Sequence, residues 1–304
     1  MEKHLPRYPI YVISKGRSDR CLTANFLVED GVPFKLVVEP QEREKYAARY
    51  GNRVEVLPFS NLGRGSIPAR NWVWNHSVES GSKRHWILDD NILRVRRFYK
   101  GKRLPCEAGP TFSCVEDFTD RYENIAITGL NYQMFGVPGM PPFYLNVHVY
   151  SCLLISNDLP YRWRGRYNED TDLCLQVLSG GLCTVLVNAF LIEKMATMTM
   201  KGGNMDSLYK GDGRLRMARS LERVWPRVVK VDRRFKRPQH VVRDNWGKFD
   251  TPLKRKPEFE RISGETNEYG LSLERVSENV KSPEIREMLS KFSAGKSLAG
   301  SGVV

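Results

Sequence analysis

Two acidic clusters, about eighty residues apart, carry the residue types that can do chemistry. The run His85-Trp86-Ile87-Leu88-Asp89-Asp90-Asn91 is an apolar strand ending in adjacent acids. An unpaired carboxylate taken out of water is costly, so these acids must surface at the strand's carboxyl end. In an open α/β sheet that end is where ligands collect. Paired carboxylates there attract a divalent cation, or the hydroxyls and phosphates that accompany one. The second cluster, Asn168-Glu169-Asp170-Thr171-Asp172, opens a helix-like segment. Each cluster also has a plain structural reading: Asp89 and Asp90 as a cap for the next turn, and Glu169 and Asp170 as favourable charges at a helix N-terminus. The second reading is compatible with catalysis.

Other residues join these acids into a site. Ser14, Lys15 and Arg17 leave the first strand, and Arg70 and Asn71 lie on a helix before the Asp-Asp strand. Arginine, helix starts and a metal-holding acid together make a diphosphate site. A bridging cation there would neutralise charge on a leaving nucleoside diphosphate. Glu169, Asp170 and Asp172 then offer a base that takes a proton from an acceptor hydroxyl. Just before them, Tyr161-Arg162-Trp163-Arg164-Gly165-Arg166-Tyr167 alternates rings and cations. Arginines can hold backbone phosphates while a ring stacks on an extruded base. The same run also reads as an edge strand with a cationic face.

The elements that must position these residues follow from the pattern. Strands are predicted at Pro9–Ser14, Phe34–Glu39, Val54–Phe59 and the run ending at Asp89, with helices over Arg20–Asp30, Gln41–Tyr50 and Ile67–Ser80. Strands separated by helices imply a parallel sheet with right-handed crossovers. Arg94–Leu104, with six cations between Arg94 and Arg103, predicts a hairpin turning at Lys100-Gly101-Lys102, which offers Arg96 and Arg97 to DNA. Ser113–Asn124 and Asp170–Ser179 read as helices, and Ile125–Tyr132, Val147–Ser156 and Cys183–Leu191 as strands. A Gly-rich stretch from Met195 to Gly213 predicts a mobile loop, and Arg214–Phe235 a helix kinked or divided at Pro226. That helix would carry Arg216, Arg219, Arg223, Arg227, Lys230 and Arg234 on one face. The expected organisation is a catalytic domain over 1–205, a basic helical extension over 206–292 and a disordered tail over 293–304.

Composition narrows the class. The formal charge is +13 over 304 residues, and residues 206–261 hold 17 Lys and Arg against eight acids. Such a block suits a polyanion such as nucleic acid, although a solvated basic surface has the same composition. The six cysteines show no Cys-x-x-Cys pairing, which argues against a disulfide framework or zinc module. With no signal-like N-terminus and no membrane-spanning run, a cytoplasmic protein is expected. His76, His85 and His148 read as structural residues.

The order Ile67-Pro68-Ala69-Arg70-Asn71, Trp86 to Asn91, then Asn168-Glu169-Asp170 resembles the GT-A glycosyltransferases. A closer resemblance, over about residues 8–205, is to the TET-associated glycosyltransferases of phages, relatives of the kinetoplastid base J glucosyltransferase. It is carried by Ile10 to Arg17, Pro68 to Trp74, Trp86 to Ile92 and Arg162 to Asp172. It implies a GT-A-like α/β fold, a mainly parallel sheet flanked by helices. It implies transfer from a UDP-sugar such as UDP-glucose to a hydroxymethylated base in DNA, typically 5-hydroxymethylcytosine, in the cytoplasm of a phage-infected cell. It further implies Asp89 at the ribose or donor sugar, Asp90 on Mn²⁺ or Mg²⁺, Arg70 and Asn71 facing the nucleotide, and Asp170 as the base of an inverting displacement. Asn91 stands where some members of the wider fold have another acid, and His240 is the one histidine downstream of the base that could complete the metal site. Rival readings are a transferase acting on a glycan or protein, a nucleotidyltransferase, and a non-catalytic DNA-binding protein.

Overall fold

The structure is a computed structural model and describes residues 4–60, 62–195, 213–234 and 237–259. The β-branched and apolar run Ile10–Ile13 forms β1, and alternation continues through α1 (Leu22–Glu29), β2 (Lys35–Val38), α2 (Arg43–Tyr50), β3 (Val54–Val56), α3 (Ile67–Glu79) and β4 (Arg84–Asp89). Pro68 occupies the first turn of α3, where its missing N–H costs nothing. These four strands pair in parallel in the order β3-β2-β1-β4. Register sets Ile13 beside both Val37 and Asp89, so the carboxyl ends of the first, second and fourth strands meet at one place.

The second half is built differently. A hairpin, β5 (Ile92–Tyr99) and β6 (Lys102–Pro105), turns at Lys100 and Gly101, as the sequence predicts. It is followed by α4 (Ala108–Asp120), β7 (Ile125–Tyr132), β8 (Phe143–Leu145), β9 (Cys152–Ser156), α5 (Glu169–Ser179) and β10 (Cys183–Lys194). All ten strands form one sheet in the order β3-β2-β1-β4-β9-β7-β10-β5-β6, with β8 paired to β10 off that path. The chain is mixed α/β with helices flanking a sheet whose strands mostly run one way. β9 is inserted antiparallel between β4 and β7, and β5 and β8 also run against the majority. β9 lies tight against β7: a Cβ on Gly129 would sit 2.4 Å from the Cys152 carbonyl oxygen, so only glycine fits there.

The core lies on both faces of the sheet. One side gathers Ile10, Val12, Leu36, Trp86, Leu88, Phe112 and Leu154, and the other Tyr11, Val37, Val73, Trp74, Ile87, Leu153 and Trp163. Alternate side chains of one strand thus go to opposite faces, both covered by helices.

The helix expected over 214–235, kinked or divided at Pro226, is corrected in its second part. It ends at Val224 (α6, Gly213–Val224) and gives way to an antiparallel hairpin, β11 (Val229–Arg234) and β12 (Arg237–Val242). Pro226 cannot continue a helix, and the valines beyond it favour a strand. The expected cationic stripe is therefore split between a helix and a ribbon. Leu221, Val228, Val229 and Val242 pack with Leu175 of α5, which ties this segment to the sheet domain. Residues beyond return to the domain, where Asn124 donates to the Pro252 carbonyl and accepts from the Lys254 amide, both at 2.8 Å. The loop expected between Met195 and Gly213 falls, apart from those two residues, outside the described residues, as do 260–292 and the tail 293–304.

Candidate active site

Parallel register assembles a cleft of about 280 Å³ at the carboxyl ends of β1, β2 and β4, closed on the other side by residues 166–169 and α6. The turn after β4 is fixed from α1. The buried Thr23 hydroxyl donates to the Asp89 carbonyl at 2.6 Å and accepts from the Ile92 amide at 2.9 Å. Gly16, at φ +66°, turns the chain after β1 and keeps Ser14 and Arg17 at the strand end.

The two acids of this turn face different partners. Asp90 is buried, with one oxygen paired to the Arg17 guanidinium and the other accepting from Ser14 Oγ at 2.7 Å. Burial pushes its carboxyl above the usual range, against the opposing pull of Arg17. Asp89 accepts from Arg70 Nη2 at 3.3 Å and from Lys194 Nζ at 2.7 Å. Burial would raise its pKa, but Lys194 and Arg70 outweigh it and hold Asp89 below the normal carboxylate range.

Arg70 also reaches the second acidic cluster. Its Nε lies 3.4 Å from Glu169 Oε1, which accepts from Ser66 Oγ at 2.8 Å. One guanidinium therefore spans from the end of β4 to the start of α5. Its plane is set by the Trp163 ring, 4.6 Å from the guanidinium carbon. Asn168, in the left-handed region at φ +54°, starts α5 and anchors α6 by donating to the Met217 carbonyl at 2.8 Å. Burial raises the Glu169 carboxyl.

Asp170 has a separate environment. Its Oδ2 lies 3.3 Å from His148 Nε2, and its Oδ1 accepts from the Thr171 amide at 2.7 Å. Burial opposes ionisation, but His148 and these hydrogen bonds win and hold Asp170 far below the carboxylate range. Thr171 Oγ1 lies 3.2 Å from His148 Nε2 and 3.3 Å from His240 Nε2. Trp246 stacks on the His148 ring at 6.0 Å and 9°. Three consecutive left-handed residues, Asp244, Asn245 and Trp246, hold that indole in place, a backbone conformation that costs energy and clusters at functional sites.

The family model of the TET-Associated Glycosyltransferases matches residues 8–203, nearly two thirds of the chain. The chain belongs to that family. No curated protein matches this glycosyltransferase. Among solved structures it is similar to the inositol-1-phosphate CTP transferase from T. maritima, at 10% identity and a TM-score of 0.38, over 64% of this chain and 91% of that one. A likeness so distant carries no argument about the site.

Within this glycosyltransferase, Ser14, Lys15, Arg17, Arg70, Asp89, Asp90, Asn91, Arg166 and Glu169 all line the cleft. Other expectations are corrected. Asn71 does not face the cleft: its amide donates to the Trp163 carbonyl at 2.9 Å and accepts from the Trp163 N–H at 3.2 Å, pinning the 161–168 loop to α3. Trp163 is 2% exposed and cannot stack on a nucleobase, because its ring fills the core beneath Arg70. Asp172 is 4% exposed and accepts four hydrogen bonds, two from Arg164, one from Gln176 and one from Trp225. Those bonds fix α5 and commit Arg164 as well. Arg162 is exposed and bends back onto the Leu159 and Tyr161 carbonyls. Arg96 pairs with Glu193, and Arg97 lies over Tyr99.

The residues present do not fit the divalent cation that the resemblance implies. Both Asp90 oxygens are engaged by Arg17 and Ser14, and both Asp89 oxygens by Arg70 and Lys194. Asn91 Oδ1 is buried without a hydrogen-bond partner, but one amide oxygen is not a ligand set for a hard cation. His240 sits with Thr171 instead.

Two residues of this site escaped the sequence reading. His148 reads as structural in the sequence, and nothing in its neighbours in sequence links it to Asp170. Lys194 carries a usable signal: β10 is an apolar run ending in Glu193-Lys194, just as β4 ends at Asp89 with Asp90 next to it.

Proposed function

We propose that the protein transfers a sugar from a UDP-sugar to the hydroxyl of 5-hydroxymethylcytosine, or a similar hydroxymethylated base, in DNA. Family membership supports a glycosyltransferase acting on modified DNA bases. The observation that carries the site assignment is the bridge made by Arg70, which sets the Asp89 strand end and Glu169 on two sides of one cleft; Asp170, next along α5, lies beside that lining against His148. In this reading the nucleotide lies over Ser14, Arg17 and Asp89, with its diphosphate toward Arg70.

The acceptor oxygen attacks the anomeric carbon from the side opposite the leaving group. Its bond to that carbon forms as the carbon–oxygen bond to the diphosphate breaks, and the electron pair leaves on UDP. The acceptor proton passes to Asp170. His148 makes Asp170 a weak base, so the proton moves late, once the attacking oxygen has become acidic. The exposed Arg166 and the half-buried Tyr167 at the cleft edge take the acceptor role first assigned to Arg164 and Trp163. Exposed Lys102 and Arg103 of β6 extend a basic track for phosphates.

The test is to incubate the protein with duplex DNA containing 5-hydroxymethylcytosine and a panel of UDP-sugars, then weigh the released nucleosides. The expected result is a nucleoside heavier by one sugar residue with at least one donor. An Asp170→Asn variant should bind the donor and transfer nothing; wild-type turnover by that variant would refute the assignment of the base.

A further inference from the structure

Lys194 ends β10, on the wall of the cleft opposite β1. Two local irregularities and a tyrosine hydroxyl converge on its ammonium. The β10–β5 register shifts between Glu193 and Lys194, a bulge of the kind that re-aims a side chain. Ser151, at φ +62°, holds a backbone conformation that non-glycine residues avoid and brings its Oγ within 2.7 Å of Lys194 Nζ. Tyr132 Oη, 3.3 Å from Nζ, bonds to the same Ser151 hydroxyl at 2.6 Å. The remaining direction points at Asp89 Oδ2, 2.7 Å away. A buried ammonium is expensive, and a counter-ion alone would not need this much arrangement, since Arg70 already reaches the same carboxylate.

A divalent ion bound to Asp89 would have to displace Lys194, and one bound to Asp90 would have to displace Arg17. The cleft wall meanwhile presents Lys15, Arg17, Arg70, Arg166 and Lys194 against four acids, Glu39, Asp89, Asp90 and Glu169. Cations thus outnumber acids by one along the lining, and a diphosphate would meet protein cations there in place of a metal ion. We propose that Lys194 meets the donor's diphosphate and, with Arg70, carries the charge of the departing UDP, so that donor binding and transfer run without a divalent cation. This rests on the donor reading above. Asp89 acts here as the group that holds both cations at the strand end until a phosphate takes its place, Lys194 exchanging its donor to Asp89 Oδ2 or the long one to Tyr132 Oη. The strand-end acids are thus holders of protein cations.

Calorimetric titration of UDP and of uridine, each with EDTA and with added Mn²⁺, tests this directly. The wild-type protein should bind UDP equally well in both conditions. Lys194→Met should lose about tenfold or more in UDP affinity while uridine binding stays the same, and Lys194→Arg should recover most of the loss. A role confined to neutralising Asp89 would weaken both ligands alike or neither. Wild-type binding of UDP that disappears with EDTA overturns the proposal while leaving the donor reading standing, and that arm needs no variant to fold. If the wild type binds UDP under neither condition, the donor reading fails and this proposal falls with it.

Discussion

Asp172→Asn separates architecture from chemistry in the second acidic cluster. Asp172 Oδ1 accepts from Arg164 Nη2 at 3.1 Å and Trp225 Nε1 at 2.7 Å, and Oδ2 from Arg164 Nε at 2.9 Å and Gln176 Nε2 at 2.8 Å. All four partners are donors. An amide in either orientation turns one oxygen into a second donor, so it loses two of the four bonds and sets N–H groups against each other. Hydrogen bonds to a charged group contribute about 1.5–3 kcal/mol each. Arg164 is half exposed and recovers part of its loss by turning to water, whereas the Trp225 or Gln176 partner does not. The net cost is about 3 kcal/mol, which for a chain of this size lowers Tm by roughly 6–12 °C. Circular dichroism melting gives that shift, and transfer measured well below the transition should stay close to wild type. A variant that melts within about 1 °C of wild type yet transfers no sugar would refute the reasoning and return Asp172 to the catalytic group.

Three further outcomes are expected. His85 is fully buried with Nδ1 2.6 Å from Asn157 Oδ1, and burial lowers its pKa from 6.5 to about 4. The unfolded chain therefore takes up the proton first, and stability falls as pH drops from about 6.5 to 4, by about 3 kcal/mol at the bottom of that window; urea unfolding across it should show the loss, and His85→Gln should flatten it. Asn71→Ala removes two hydrogen bonds to the Trp163 backbone and should raise the KM for donor several-fold, with a stability loss of about 1–2 kcal/mol; an unchanged KM would sever the 161–168 loop from donor binding. Gly129→Ala drives a Cβ into the Cys152 carbonyl between β7 and β9, and should cost more than about 3 kcal/mol or abolish soluble expression, read by thermal melting and yield.

Much of the fold was legible because its first half is regular. The strands ending at Ile13, Val38 and Asp89 and the helices between them announce themselves by apolar runs and turn residues, and parallel register then places Ser14 beside Asp89 and Asp90. The second half resisted for two reasons. β9 is as apolar as a parallel strand, and nothing in its composition shows that it runs the other way. In the C-terminal block, cations at helical spacing mask the Val229/Val231 alternation of β11 and the Val241-Val242 pair that ends β12, which together make a ribbon. At the site, residue types were right where a strand end exposes them. They misled where a polar or aromatic residue is spent on the scaffold: Trp163, Asn71 and Asp172 look like binding residues in one dimension and hold the cleft's walls in three.

The basic hairpin at the end of the sheet has a second consequence. With the order running from β3 to β6, no strand among the described residues pairs the outer edge of β6, and every residue of Lys102–Pro105 is exposed. An unpaired edge invites another copy to add a strand, and charged residues and proline are what discourage it. Lys102, Arg103 and Pro105 thus protect the protein from self-association, whatever they do for DNA. Replacing these cations with neutral, strand-forming residues in search of a binding defect would also remove a barrier to aggregation. Charge reversal to glutamate is the cleaner choice, since it abolishes attraction to phosphates and still keeps copies of the chain apart.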